Sequence, residues 1–339
     1  MFTAGPHPLH VDIDLSTKCN LRCRFCHLSH FEPKEWTQIS LEQFAELEPV
    51  LSRAKSITLF SKYEPLTCRD FVPIFERIAT FGAETYFSTN GILLTDEVID
   101  ALVGRLTFLT VSVTGFERET YARHMGQDRL DTVRDNLARL NAAKAARGTD
   151  LPKLRVSTVG MQETVDDLTM AVDFARDFAM AEGVQVTYLK AHGPEMVADM
   201  PLADPARFAA SAAKAAEYAA SLGIKFDLQG GTIDEIEAAT AALGHKMCDM
   251  PWRRLSLQPN GDVYPCPLSY QPVGNFFEER LEDIWTGPRL AAFRAGVNDP
   301  ENMNPDCRDC SHCRHRSVLK PQANDFSTAE TYVGGMRRK

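Results

Sequence analysis

Short apolar runs of strand length recur along the chain at residues 10–15, 57–60, 84–88, 108–113, 154–159 and 184–189. Between most of them, apolar positions return every three or four residues, the spacing of a helix with one buried face. Ser40-Leu41-Glu42-Gln43 reads as a capping box opening one helix, and the pattern predicts further helices over 94–102, 130–146 and 165–181. Six strand–helix units in succession imply an α/β fold in which helices cover a parallel sheet, either an open doubly wound sheet or a partial barrel. In both architectures chemistry collects at the C-terminal ends of the strands. The polar clusters fall there: Glu64 after the second strand, Ser88-Thr89-Asn90-Gly91 at the third, Ser112 and Thr114 at the fourth, Ser157 and Thr158 at the fifth, Lys190 and His192 at the sixth.

The pattern then changes. An alanine-rich helical stretch over 205–222 and a short run at 224–228 lead to Gln229-Gly230-Gly231, which reads as a boundary. Residues 248–313 hold five of the nine cysteines, a hairpin-like stretch from Leu255 to Tyr264 turning at Pro259-Asn260-Gly261, and a helix over 281–294. The expected organisation is an α/β domain over 1–228, a small cysteine-bearing domain over 229–319 and a tail over 320–339 without clear periodicity.

With 339 residues, 44% of them hydrophobic, the chain can bury a substantial core. A formal net charge of −9 argues against a nucleic-acid surface. No apolar window is long enough to span a bilayer, and Met1-Phe2-Thr3-Ala4-Gly5-Pro6 lacks the regions of a signal peptide, so a cytoplasmic protein without a membrane partner is expected. In that reducing compartment, cysteines clustered near both ends of the chain point to metal ligation rather than disulfides.

The strongest motif is Cys19-x3-Cys23-x2-Cys26, directly after the first strand-like run. A [4Fe-4S] cluster is ordinarily held by four thiolates, so three in one loop leave one iron open to bind something else. A structural zinc site is the alternative, with His27 or His30 as the fourth ligand. The spacing, with the aromatic Phe25 before the last cysteine, resembles the signature of the radical S-adenosylmethionine (SAM) superfamily. That resemblance implies a (β/α)6 partial barrel, a SAM-binding [4Fe-4S] cluster on Cys19, Cys23 and Cys26, and SAM chelated by the open iron. It places the SAM amino group near Glu64 and Pro65. There relatives read Gly-Gly-Glu-Pro and this chain reads Lys62-Tyr63-Glu64-Pro65, so Lys62 and Tyr63 either rebuild that site or reach toward substrate. It places the ribose beside Ser88, Thr89 and Asn90, Ser112 at the end of the fourth strand with Thr114 in place of an acid, and the methionine carboxylate and adenine near Thr158 and Leu189.

The C-terminal cysteines, with Pro259-Asn260-Gly261-Asp262-Val263-Tyr264-Pro265-Cys266, Gly274-Asn275-Phe276 and Leu281-Glu282-Asp283-Ile284-Trp285, resemble the auxiliary-cluster region of SPASM and twitch proteins. Five thiols suit one auxiliary [4Fe-4S] cluster, expected on Cys248, Cys266, Cys307 and Cys310 with Cys313 as the alternate ligand. A zinc knuckle of Cys307, Cys310, Cys313 and His315 is the competing arrangement.

The resemblance implies hydrogen abstraction by an adenosyl radical, fed by a low-potential donor such as flavodoxin or ferredoxin. Only eighteen residues precede Cys19, which favours a small polar substrate, sugar- or cyclitol-containing. Alcohol dehydrogenation is the leading expectation, with epimerisation or decarboxylation as relatives of it. Lys62, Tyr63, Lys190 and His192 are the candidate bases. Cys68 is either a hydrogen donor to a substrate radical or a small buried hydrophobe. Peptide maturation is the alternative activity, and a non-catalytic, zinc-stabilised, partner-binding barrel the alternative from another class.

Overall fold

The computed structural model describes residues 2–33, 35–59, 62–229, 231–233, 235, 247–299, 301–308, 310 and 336–338. Its strands are β1 (His10–Ile13), β2 (Phe31–Pro33), β3 (Ser56–Thr58), β4 (Glu84–Thr89), β5 (Phe108–Ser112), β6 (Lys153–Gly160), β7 (Val184–Tyr188), β8 (Phe226–Leu228), β9 (Arg254–Leu257), β10 (Asp262–Tyr264), β11 (Gly274–Asn275) and β12 (Met336–Arg338). Ten of them form one sheet in the order β11-β10-β9-β1-β3-β4-β5-β6-β7-β8. From β9 through β8 all neighbours are parallel, while β10 and β11 continue antiparallel beyond β9.

From β1 to β8 the spatial order never reverses. Because parallel crossovers are right-handed, successive helices then fall on the same face of the sheet, and the partial barrel rather than the doubly wound alternative results. Phe71–Ile78 illustrates the fit: Phe71, Ile74, Phe75 and Ile78 are its buried residues, at helical spacing. They meet strand residues such as Ile57 and Phe87 in one continuous core. Ser40 and Gln43 make the expected capping box, Gln43 N–H donating to Ser40 Oγ and Ser40 N–H to Gln43 Oε1.

One expectation is revised. The helix over 281–294 is two helices, Leu281–Thr286 and Pro288–Ala295, because Pro288 has no N–H to continue the first and is well placed to start the second. Within the tail, Met336–Arg338 pairs antiparallel with Phe31–Pro33.

The C-terminal region is joined to the barrel through β9, which lies parallel to β1 with His10 opposite Arg254. Two acids of the β1 segment are buried at this seam. Asp12 accepts from Arg254 Nη1 at 2.9 and 3.0 Å, and Asp14 accepts from Gln258 Nε2 at 2.8 Å. Burial pushes the Asp12 carboxyl up to about 6 even with the guanidinium beside it, so the arginine is offsetting a real desolvation cost. On the far side of the small domain, buried Trp285 donates from Nε1 to Gly5 O at 2.8 Å. Arg254→Ala leaves Asp12 without its counter-charge and is expected to destabilise the fold by about 3 kcal/mol. In urea unfolding the double variant Asp12→Asn/Arg254→Met should recover most of that loss, and an equal loss in both variants would contradict the ion-pair account.

Candidate functional site

The loop carrying Cys19, Cys23 and Cys26 leaves the C-terminal end of β1 and is fixed by backbone bonds. Arg24 N–H donates to His124 O at 2.9 Å, Cys26 N–H to Cys23 O at 2.9 Å and Ser29 Oγ to Cys23 O at 2.7 Å. Gln127 Nε2 donates to Asn20 O at 2.8 Å. Gly126, at φ +81°, closes the helix Arg118–Met125 against this loop, and a Cβ there would lie 2.5 Å from Arg22 O. The three thiols lie within electrostatic reach of one another. Burial pushes Cys19 up to about 12 and Cys23 well above its ordinary value. Thiols enclosed in this way ionise only against a bound cation, and soft thiolates suit iron. The donor set therefore fits an iron–sulfur cluster with three protein ligands.

Beside the thiols lies a cavity of about 190 Å³, lined by the three cysteines with Phe25, Lys62, Tyr63, Glu64, Ser88, Thr89, Asn90 and Ser112 among others. Glu64 organises it. Its Oε1 accepts from Thr89 Oγ1 at 2.8 Å and Leu66 N–H at 3.3 Å, and its Oε2 from Asn90 N–H at 2.8 Å. Burial pushes the carboxyl up to about 7 against those three bonds. Asn90 in turn donates from Nδ2 to Asn20 Oδ1 at 2.7 Å, so one carboxylate ties the loop after β3 and the end of β4 to the cysteine loop. Pro65 begins the short helical turn Pro65–Thr67 that Glu64 caps. The Ser88 hydroxyl meets Tyr86 Oη at 2.9 Å.

The other predicted residues divide. Leu189 packs with Met161, Met196, Met200 and Phe25, forming an apolar wall next to the cysteine loop. Thr158 is buried on β6 and is not among the residues lining the cavity. Thr114, standing where an acid was expected, accepts from Val159 N–H at 3.1 Å and braces β5 against β6. Of the two readings of Cys68, the structure matches the small buried hydrophobe. It is buried in the core, with Sγ 3.5 Å from Ile39 O, and does not line the cavity, which suits packing and not hydrogen return to a substrate.

The candidate bases gather at the barrel mouth. The His192 ring lies 6.1 Å from that of His27 and 5.8 Å from that of His30, and His27 is 6.5 Å from Tyr63. Burial and the surrounding positive charges push His27 down to about 4 and His192 to about 3, so both imidazoles are neutral. Burial also pushes Lys190 down to about 8, and it lies within electrostatic reach of Cys310. Lys62 extends toward the C-terminal region, its Nζ 5.2 Å from the centroid of Tyr264.

In that region Cys248, Cys266, Cys307 and Cys310 surround one small void of about 20 Å³. Cys248 exchanges two bonds with Asn298, N–H to Oδ1 at 2.9 Å and O from Nδ2 at 2.8 Å. Buried Asp306 accepts from Ser269 Oγ and from the N–H of Tyr270 and Gln271, holding the loop after Cys266 to the segment carrying Cys307. Burial and the neighbouring thiols push Cys307 up to about 12 and Cys266 higher still. Among the described residues no three thiol, imidazole or carboxylate groups are close enough to share a single metal ion. Cys313 and the zinc-knuckle arrangement that includes it lie outside the described residues. Sequence reading had missed Asn20, Met125 (Sδ 3.9 Å from Cys23 Sγ), Asp14, Gln258 and Asn298. Asn20 lies within the cysteine motif and Gln258 within the hairpin-like stretch, but no local signal gives their partners, which only the folded chain brings to them.

Two family models match: the radical SAM superfamily over residues 13–175, and SPASM, an iron–sulfur cluster-binding domain, over residues 248–311. Among curated relatives, an AdoMet-dependent heme synthase from Methanosarcina barkeri is 26% identical, with 96% of each chain covered. A PqqA peptide cyclase from Streptomyces rochei is 25% identical, over 89% of this chain and 81% of that protein. Among solved structures, Streptococcus suis SuiB bound to S-adenosylmethionine superposes with a TM-score of 0.67 at 18% identity, covering 87% of this chain and 70% of SuiB.

Glu64→Gln turns an acceptor into a donor opposite Asn90 N–H or Thr89 Oγ1 and should weaken SAM binding about tenfold or more, since one mispaired buried group costs about 1–3 kcal/mol. Equilibrium dialysis with SAM measures it, and unchanged affinity would remove Glu64 from the site's framework. Anaerobic reconstitution should load about eight irons per chain, four per cluster, falling to about four in the triple variant Cys19→Ala/Cys23→Ala/Cys26→Ala. Stoichiometric zinc with only four irons in the unaltered chain would replace the auxiliary cluster.

Proposed function

The chain belongs to the radical SAM superfamily, with SAM and [4Fe-4S] clusters as its cofactors, and from that premise we propose that it oxidises an alcohol carbon of a small polar, sugar- or cyclitol-containing substrate. When bound, the cofactors supply a carbon radical that removes hydrogen and, at the auxiliary cluster, an acceptor for one electron. What supports the reading above all is the position of Lys190, a half-buried amine just after β7 within electrostatic reach of Cys310. A base beside the electron acceptor is what dehydrogenation requires. With that hydrogen acceptor and electron acceptor supplied, Lys190 would take the hydroxyl proton of the carbinol as it is oxidised to a carbonyl.

The other residues bind and exclude water. Glu64 holds the walls of the cavity in place, so that Ser88, Asn90 and Ser112 present polar groups to the ribose and its neighbours. Phe25 and the Leu189 cluster close the apolar side. Tyr63, Lys62 and His192 form the polar side of the substrate space, and a flavodoxin- or ferredoxin-type donor supplies the initiating electron. Peptide maturation is the second reading, favoured by the similarity to a PqqA peptide cyclase along most of the chain.

Lys190→Ala should retain SAM cleavage to 5'-deoxyadenosine but slow carbonyl formation about 100-fold or more, the usual scale of a lost general base. The assay is an anaerobic incubation with SAM, reductant and carbinol-deuterated sugars and cyclitols, alongside candidate peptides. Deuterium in 5'-deoxyadenosine from a carbinol position with a carbonyl product supports the proposal. Transfer only from peptides establishes the second reading, and full turnover by Lys190→Ala removes its role as base.

A further inference from the structure

Lys62 occupies a position where the resembled SAM loop carries glycine, and its side chain belongs to the other half of the molecule. Its backbone N–H donates to Asp14 Oδ1 at 3.2 Å, while Asp14 Oδ2 accepts from Gln258 Nε2, just beyond β9. Its ammonium lies over the ring of Tyr264, 5.2 Å from the centroid, on β10 and two residues before Cys266. The charges facing that ammonium are Asp14, Asp262 and Cys266 itself, with His27 on the barrel side. A lysine enclosed in this way bears a desolvation cost that glycine would not. The two carboxylates and the tyrosine face offset part of it and fix the ammonium beside the ligand-bearing strand.

We propose that Lys62 is a positioning residue through which the loop at the SAM cavity raises the reduction potential of the auxiliary cluster held by Cys248, Cys266, Cys307 and Cys310. The potential of an iron–sulfur cluster responds to nearby charge, hydrogen bonding and solvent exposure. An adjacent fixed cation favours the reduced, more negative state. Without the ammonium, Asp14 and Asp262 would act on the cluster alone and favour its oxidised state. The inference rests on the auxiliary ligand set and is independent of which substrate is oxidised. It also gives a physical role to a departure from the glycine-containing loop: the same residue borders the SAM cavity and the auxiliary side.

The test uses the full chain with Cys19→Ala, Cys23→Ala and Cys26→Ala, so that only the auxiliary cluster is read, in an anaerobic redox titration followed by electron paramagnetic resonance. Adding Lys62→Met should shift the one-electron reduction equilibrium at least about tenfold toward the oxidised form, 59 mV more negative. Lys62→Arg should restore it, and Asp262→Asn should move it the other way. Should Lys62→Met fail to load iron, Lys62→Gln is titrated in its place and is expected to shift in the same direction. Iron held at an unchanged potential in the Lys62 variant overturns the proposal alone. A triple-cysteine variant that holds no iron overturns the auxiliary ligand assignment and the proposal with it.

Discussion

The arrangement depends on strand β1 being completed from both sides. It lies between β3, which follows it closely in sequence, and β9, which arrives from the C-terminal region. Its segment places Asp12 and Asp14 in a buried seam, and carboxylates cannot remain there without partners. Arg254 and Gln258 from the C-terminal region meet them, and the N–H of Lys62 from the loop after β3 adds to Asp14. The cysteine loop starts at the end of this strand, so the same bonds that satisfy the acids hold the barrel thiols in relation to the auxiliary ones.

Around that seam the polar framework uses few groups and uses them fully. Both Glu64 oxygens are engaged by the protein, Oε1 twice and Oε2 once, so Glu64 shapes the cavity while Oε2 keeps one acceptor site. Ser88, Thr89, Asn90 and Ser112, at the ends of β4 and β5, line the cavity beside it. The mouth above is rich in bases, and burial keeps two of its imidazoles neutral. This places neutral nitrogen acceptors beside the amines of Lys62 and Lys190 at the barrel mouth.

Much of this was legible in the sequence wherever a local rule applied. Apolar runs of strand length and helical spacing marked the strands and helices of the barrel, and Ser40 with Gln43 marked a cap. The Cys19-x3-Cys23-x2-Cys26 spacing gave the chemistry, because three thiols in one short loop are a local arrangement. The order of strands decided between partial barrel and doubly wound sheet, and that order is a tertiary fact no local pattern contains. The break at Pro288 followed from a known rule that the apolar spacing on either side obscured. Cys68 shows the limit most clearly: four residues from Glu64 in sequence, it turns into the core because the segment from Pro65 to Thr67 winds between them. Asn20 meeting Asn90, and Asp14 meeting Gln258, join residues 70 and 244 positions apart. Such pairs leave no mark in a single sequence.

The position of β9 also has a meaning for the chain as it is made. Arg254 follows Asp12 by 242 residues, so at about 5–20 residues per second the ribosome needs on the order of 10–50 s to deliver the second neighbour of the first strand. Through that interval β1 has an open edge, two acids without their counter-groups and a thiol-rich loop beside it. An unpaired edge of this kind is a template for mispairing with other chains. The nascent barrel thus has to be shielded, or its cysteines kept reduced and unmetallated, until the last third of the protein closes the seam.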